Sequence, residues 1–245
     1  MEFFPFLVAF IVSFIAGFIG TNTGGGAFIV VPTLIFLGLP PHIAIASMRV
    51  SIVAAAAAGM LRFAIAGKVL FKVAIPVAFF SAIGAYFGAT TLLQVPEELL
   101  RKLIGMLILL MLCILFVKKD LGVVSRARST LRQCVGYFLF SFVGFWAAFF
   151  GGGGIFSRMI YTTFFGMTFL ESAGTAKISV LCLSLVASAV YISAGAVDWS
   201  YAAILMIGGG AGSYWGSHHG LKRGDAWVRK LFMVMVFLSA LRLLF

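Results

Sequence analysis

The chain has 245 residues, of which 62% are hydrophobic and 10% charged, and its mean hydropathy is +1.15. Too few polar residues are present to cover a soluble domain of this size, so that class is excluded. The net charge of +11 also does not indicate nucleic-acid binding, because no basic stripe is interleaved with aromatic residues. Backbone groups in lipid must be paired within helices or closed barrels, and period-two alternation is absent. We therefore expect an all-α, polytopic membrane protein.

The first half of the chain contains four apolar segments that could cross a bilayer as helices. They are predicted at 3–38, 42–66, 70–93 and 99–117. The first segment is interrupted by three consecutive glycines in "TNTGGGAFIVVP" (21–32). A charged segment, "KKDLGVVSRARSTLR" (118–132), follows the fourth and is predicted to be a cytoplasmic linker.

The glycine run indicates a binding site. Irregular backbone is tolerated in the hydrocarbon only where protein buries it or where it lines a wet cavity. A helix that restarts after the break presents free N–H groups and the positive end of its dipole, which attract anions. The alternative is close helix packing. We favour packing for the spaced glycines, which are Gly84, Gly88, Gly212 and Gly216.

The second half repeats the first at a constant offset of 128 residues (152 − 24 = 128). The matched pairs include Gly24-Gly25-Gly26 with Gly152-Gly153-Gly154, Arg49 with Lys177, Ser47 with Thr175, and Ser51 with Ser179. Spans are predicted at 134–165, 170–194, 199–217 and 226–245. The organisation is therefore a first transmembrane repeat (1–117), the linker (118–132) and a second transmembrane repeat (133–245).

The number of spans predicts how the repeats are oriented. Four spans per repeat place the halves parallel, with both termini and the linker on the slightly more basic, cytoplasmic face. If each glycine-broken segment crossed twice, the repeats would be inverted. We favour the parallel arrangement, because 27–38 would extend only about 18 Å as helix, too short to cross alone.

Basic residues inside the spans are the strongest candidates for anion binding. Arg49 and Lys177 each lie about 10 Å inside a span, at helical rise, where a cation usually faces a cavity. Snorkelling to the interface is the alternative. Ser47 and Ser51 share a helix face from which Arg49 points away. The full set of candidate substrate-binding residues is Asn22, Thr23, Gly24, Gly25, Gly26, Arg49, Ser51, Gly152, Gly153, Gly154, Arg158, Thr175, Lys177 and Ser179.

Several of these residues have two interpretations. Asn22 and Thr23 either donate to a substrate or satisfy the loose backbone of the first break. Arg158, just after the second glycine run, either pairs with an anion or snorkels. Glu171, at the start of its span, either carries a proton or caps the helix, and we favour capping.

The sequence contains no enzyme signature. Walker motifs, nucleophile elbows and metal-ligand clusters are absent from it, and its three cysteines, Cys113, Cys134 and Cys182, lack metal spacing. We therefore expect no catalytic residues, no metal and no cofactor.

The stretches "GFIGTNTGGGAFIVVPTLIFLGLPPHIAIASMRVS", "GFWAAFFGGGG", "AGTAKIS" and "AGAVDW" resemble the TauE/SafE group of sulfite and organosulfonate exporters. The resemblance implies an eight-span secondary transporter of the bacterial inner membrane that moves a small anion such as sulfite or a sulfonate, with export as the expected direction. The chain departs from the family pattern at Gly20 and Ala147, where related proteins often carry an acid. An anion channel or a non-transporting accessory subunit are the alternatives. The expected partners are the anion, the bilayer and, as a further candidate, a coupling proton or ion.

Overall fold

The computed structural model describes residues 3–100, 102–103 and 130–244, and all of its long elements are α-helices. The helices are α1 (Phe3–Thr23), α2 (Ala27–Phe36), α3 (Pro41–Ile65), α4 (Phe71–Gln94), α5 (Thr130–Phe150), α6 (Gly154–Phe164), α7 (Phe169–Ser193) and α8 (Trp199–Leu244). Helix α8 is kinked at Gly224, where φ is +78°. The predicted span 99–117 and the linker 118–132 lie almost entirely outside the described residues.

Within the described part of the chain, 5 helices are long and apolar enough to cross a membrane. They are α1, α3, α4, α5 and α7. Large apolar side chains such as Phe79 and Phe138 remain exposed on the outer surfaces of these helices, as expected where lipid is the solvent. The protein is therefore a polytopic, multi-pass helical membrane protein, as predicted from its composition.

Helices α1, α3 and α8 run in the same direction. Gly212 of α8 packs on Phe14 of α1, and Gly216, one turn later, packs on Phe18. Since both residue numbers rise together, α1 and α8 are parallel. Helix α3 is also parallel to α8, because its middle approaches Gly210 through Ala54, whereas Arg62 near its end bonds His218.

Helices α4, α5 and α7 run the opposite way. Gly84 and Gly88 of α4 pack in turn on Ser141 and Phe145 of α5, so these two helices are parallel to each other. Helix α4 follows α3 after a short turn. The start of α7 lies beside this turn, because the Leu70 N–H donates to Thr175 at 3.1 Å.

The two repeats are therefore inverted, and the prediction of parallel halves is wrong. Helix α1 corresponds to α5 at the repeat offset and points the other way, and the same holds for α3 against α7 and for α4 against α8. The contacts follow the same symmetry, because α1 packs along α8 and α4 packs along α5. Such repeats are related by a two-fold axis in the membrane plane, not along its normal.

The inversion arises because each glycine break is a turn in the chain. At Gly24 the backbone takes a φ of +81°, which favours glycine, and Gly26 then packs back against Ala16 of α1. Helix α2 has 10 residues, about 15 Å at helical rise, roughly half the hydrocarbon thickness. It returns the chain toward the start of α3. At the second break, Gly151 has a φ of +84° before α6.

Two predictions about local structure are confirmed. The spaced glycines Gly84, Gly88, Gly212 and Gly216 each sit against the backbone of a neighbouring helix, where a side chain would collide. Glu171 caps α7, because its carboxylate accepts from the Thr168 N–H at 3.0 Å while the Thr168 hydroxyl accepts from the Glu171 N–H.

Basic residues are concentrated on one face of the described bundle. This face carries the α3–α4 turn, the start of α5 and the kink of α8. Its exposed or half-exposed cations include Lys68, Lys72, Arg132, Lys222, Arg223 and Lys230. The opposite face carries the start of α1, as Phe6 packs against Tyr201 at 5.0 Å. The described cation there, Lys102, is paired with Glu98.

Candidate anion-binding site

The two glycine breaks meet at the interface between the repeats. The backbones of Gly24 and Gly154 touch so closely that a Cβ atom on either would overlap the other. Beside this contact lies a cavity of about 130 Å³. The starts of α2 and α6 both reach its wall through Gly26, Ala27 and Gly154. The positive ends of two half-helices are therefore directed toward one space.

Three buried cations line this cavity, namely Arg49 from α3, Arg158 from α6 and Lys177 from α7. Their exposed fractions are 2%, 3% and 8%. Such burial rules out snorkelling to an interface as their role in this structure. Cations at this depth are unfavourable without a partner and usually mark an ion or substrate pathway.

Each arginine donates to a carbonyl at the end of the other repeat's broken helix. Arg49 Nη2 donates to the Ala147 carbonyl of α5. Arg158 Nη2 donates to the Thr21 carbonyl of α1 at 2.9 Å. The last carbonyls of a helix lack partners within that helix, and its negative dipole end attracts cations. The two arginines thus tie the repeats together at the breaks.

Lys177 is different, because its ammonium group has no hydrogen bond or ion pair with any described residue. The end of the Lys177 side chain lies near Gly59, together with two hydroxyl groups. A Cβ atom built on Gly59 would lie 3.0 Å from Lys177 Cε, 2.8 Å from Ser213 Oγ and 3.1 Å from Thr21 Oγ1. The Ser213 and Thr21 hydroxyls lie 3.1 Å apart. Arg49 also retains one free donor, as its Nε is buried without a partner among the described residues.

No carboxylate lines the cavity in the part of the chain that the structure describes. Three described acidic residues accept hydrogen bonds from backbone N–H groups away from the cavity. Glu171 caps α7, Asp225 accepts from the Leu170 N–H at 2.7 Å, and Asp198 accepts from the Tyr201 N–H at 3.1 Å. The positive charge at the cavity is therefore not balanced by any described acidic side chain on its wall.

The structure brings eight of the predicted site residues to the cavity wall and leaves six outside it. Those on the wall are Gly24, Gly26, Arg49, Ser51, Gly153, Gly154, Arg158 and Lys177. Although Arg49 and Ser51 start from different helix faces, both reach the wall. The residues outside the wall are Asn22, Thr23, Gly25, Gly152, Thr175 and Ser179.

The six residues outside the wall mostly make structural contacts. Asn22 donates to the Gly216 carbonyl at 2.9 Å, and the Thr23 hydroxyl accepts from the Gly25 N–H at 3.3 Å. Thr175 holds the α3–α4 turn, and Ser179 lies 3.2 Å from the Tyr161 hydroxyl. Gly152 packs on the ring of Phe28.

Sequence reasoning missed four hydroxyl groups on the cavity wall, those of Ser13, Thr21, Ser157 and Ser213. Thr21 belongs to the polar patch before the first glycine run, so a signal for it was present. Ser157 follows the second run within one helical turn, a comparable signal. Ser213 lies on α8, and only the helix packing reveals that it faces Thr21.

The cavity offers hydrogen-bond donors and, among the described residues, no charged acceptor. It is surrounded by an unpartnered ammonium group, a free guanidinium N–H, several hydroxyls and two helix N-termini. The remainder of its wall is apolar and includes Val30, Met48, Ile52 and Leu205. This combination suits a small anion with several oxygen atoms, because charge-assisted hydrogen bonds to oxyanions are strong.

Comparisons with known proteins identify the family of this chain. Residues 9–243 match the family described as "Sulfite exporter TauE/SafE". A "Probable membrane transporter protein ORF9" of Sinorhizobium is 27% identical and covers 96% of this chain and 90% of its own length. A "Probable membrane transporter protein" of Haemophilus influenzae is 25% identical and covers 97% of this chain and 94% of its own length. No solved structure matches the chain significantly. The chain belongs to the sulfite exporter TauE/SafE family of membrane transporters.

Proposed function

We propose that this protein is a secondary transporter that exports a small oxyanion, such as sulfite or a short sulfonate, across the cytoplasmic membrane. The observation that carries the proposal is the cavity between the two glycine breaks, where three buried cations meet and no carboxylate of the described residues lines the wall. Inverted repeats with broken helices at their interface are typical of secondary transporters. The description of the matched family supports the direction and the sulfur-containing substrate.

The composition of the wall supports a small substrate. A cavity of about 130 Å³ suits an inorganic oxyanion or one with a short organic tail. We propose that Lys177, Ser213 and Thr21 bind the oxygen atoms. The apolar side chains of the wall would then face any alkyl part of the substrate.

We also propose an orientation in the membrane. The basic face, which includes Lys68, Lys72 and Lys222, lies in the cytoplasm, as the positive-inside rule predicts. The start of α1 then lies on the outer side. This orientation replaces the expectation that the N-terminus shares the cytoplasmic face with the linker.

The test is a flux measurement on the purified protein in liposomes. Uptake of labelled sulfite should saturate with concentration and should show counterflow when unlabelled sulfite is inside. Taurine and acetate serve as competing sulfonate and carboxylate. A flux that rises linearly with concentration and shows no counterflow would indicate an anion channel instead. Absence of any protein-dependent flux of these anions would contradict the proposal.

A further inference from the structure

We infer that the protein is an obligatory anion exchanger, whose binding site changes sides only when an anion occupies it. The inference rests on the proposed transport function and adds the coupling partner. It begins from the charge of the cavity, where Arg49, Arg158 and Lys177 are all buried.

The charges on every helix packed around the cavity support this assignment. In their described residues, α1, α2, α3, α5 and α6 contain no acid at all. The acid of α7, Glu171, is bound to the Thr168 N–H at the helix start. On α8, Asp225 binds the Leu170 N–H beside the basic face, and Asp198, before the helix, binds the Tyr201 N–H at the other face. None of them lines the cavity.

A site of this kind resists closing while it is empty. Alternating access requires the site to pass through a state that is shielded from both sides, and shielding removes water from the cations. Uncompensated charge is strongly unfavourable in such surroundings. A bound anion supplies the missing negative charge, so the loaded site closes more readily than the empty one.

The same charges disfavour a coupling cation. A sodium ion would have to bind within a cavity that is lined by three basic side chains, and no described carboxylate is present there to coordinate it. The coupled partner is therefore a second small anion, which returns as the first one leaves.

The experiment uses liposomes that contain the full-length protein and are loaded with labelled sulfite. Valinomycin and equal potassium concentrations hold the membrane potential at zero, so charge build-up cannot limit the flux. Efflux is compared into external sulfite, external sulfate, and a medium whose only anion is a bulky buffer. We expect efflux into external sulfite to be at least about ten times faster than into the buffer medium. Equal rates would overturn the exchange inference, as would net efflux driven by a pH gradient alone.

Variants separate the charge from other causes. In Lys177→Gln one cation is removed, so the ratio of exchange to net efflux should fall toward one. Lys177→Arg keeps the charge and should keep a high ratio. The matched control is Lys72→Gln, which removes an exposed charge from the basic face and should leave the ratio unchanged. An unchanged ratio in Lys177→Gln would also contradict the inference. Saturable flux with equal rates refutes only the exchange, whereas no flux refutes the proposed function itself.

Discussion

At the scale of single residues, the three buried cations have different roles. Arg49 and Arg158 each donate to a carbonyl of the opposite repeat, so part of their hydrogen-bonding capacity holds the breaks in place. Lys177 has no such contact with the described residues. Its ammonium group is therefore the donor that is most available to a substrate, and the arginines act mainly through their charge and by positioning the breaks.

The sequence predicted these cations better than the neighbouring hydroxyls. The depth of Arg49 and Lys177 within apolar spans, and their recurrence at one offset, indicated a cavity in advance. Thr175 and Ser179 were less predictable, since helical periodicity does not state which neighbour each helix face meets. The Arg158 contact with Thr21 joins residues 137 positions apart, and no local pattern reveals it.

At the scale of secondary-structure elements, the contact between the two breaks should be indispensable. In Gly154→Ala the new methyl group would overlap the backbone of Gly24. Gly154 does not have a positive φ, so the change introduces the collision without backbone strain. We expect this variant to insert into the membrane but to lose most of its sulfite transport in liposomes.

The control for this prediction is Gly210→Ala, a helical glycine of α8. Its new methyl group would meet Ala54 at an ordinary 3.9 Å, and transport should remain near that of the wild type. Normal transport in Gly154→Ala would show that the close approach of the breaks is unnecessary.

At the scale of the whole molecule, the sequence predicted the duplication but not the relative orientation of the two repeats in the membrane. The offset of 128 residues is visible without a structure. The number of crossings is not visible in the sequence, because α2 is too short to cross the hydrocarbon alone and its sequence therefore resembles a continuation of α1. The N-terminal end of α2 is sheltered by protein at the repeat interface, so a half-length helix suffices there to reverse the chain.

The inverted arrangement predicts which side of the membrane each surface faces. In a cysteine-free background, Lys72→Cys and Lys222→Cys lie on the basic face, whereas Glu98→Cys and Ser200→Cys lie on the other. An impermeant thiol reagent added to intact cells should label the second pair and not the first. Labelling of the first pair alone would reverse the orientation. Labelling of Lys72→Cys together with Ser200→Cys would contradict the helix directions.

The central claim, that the cavity binds a small oxyanion, is tested most directly by calorimetric titration of the purified protein with sulfite. Wild type should bind it saturably. Lys177→Met removes one charge-assisted hydrogen bond, which contributes about 1.5–3 kcal/mol, so its Kd should rise roughly tenfold to a hundredfold. Lys177→Arg should lose less affinity, because the charge remains. Melting temperatures of all three proteins provide the check on folding. Equal affinity in wild type and a folded Lys177→Met variant would contradict the claim.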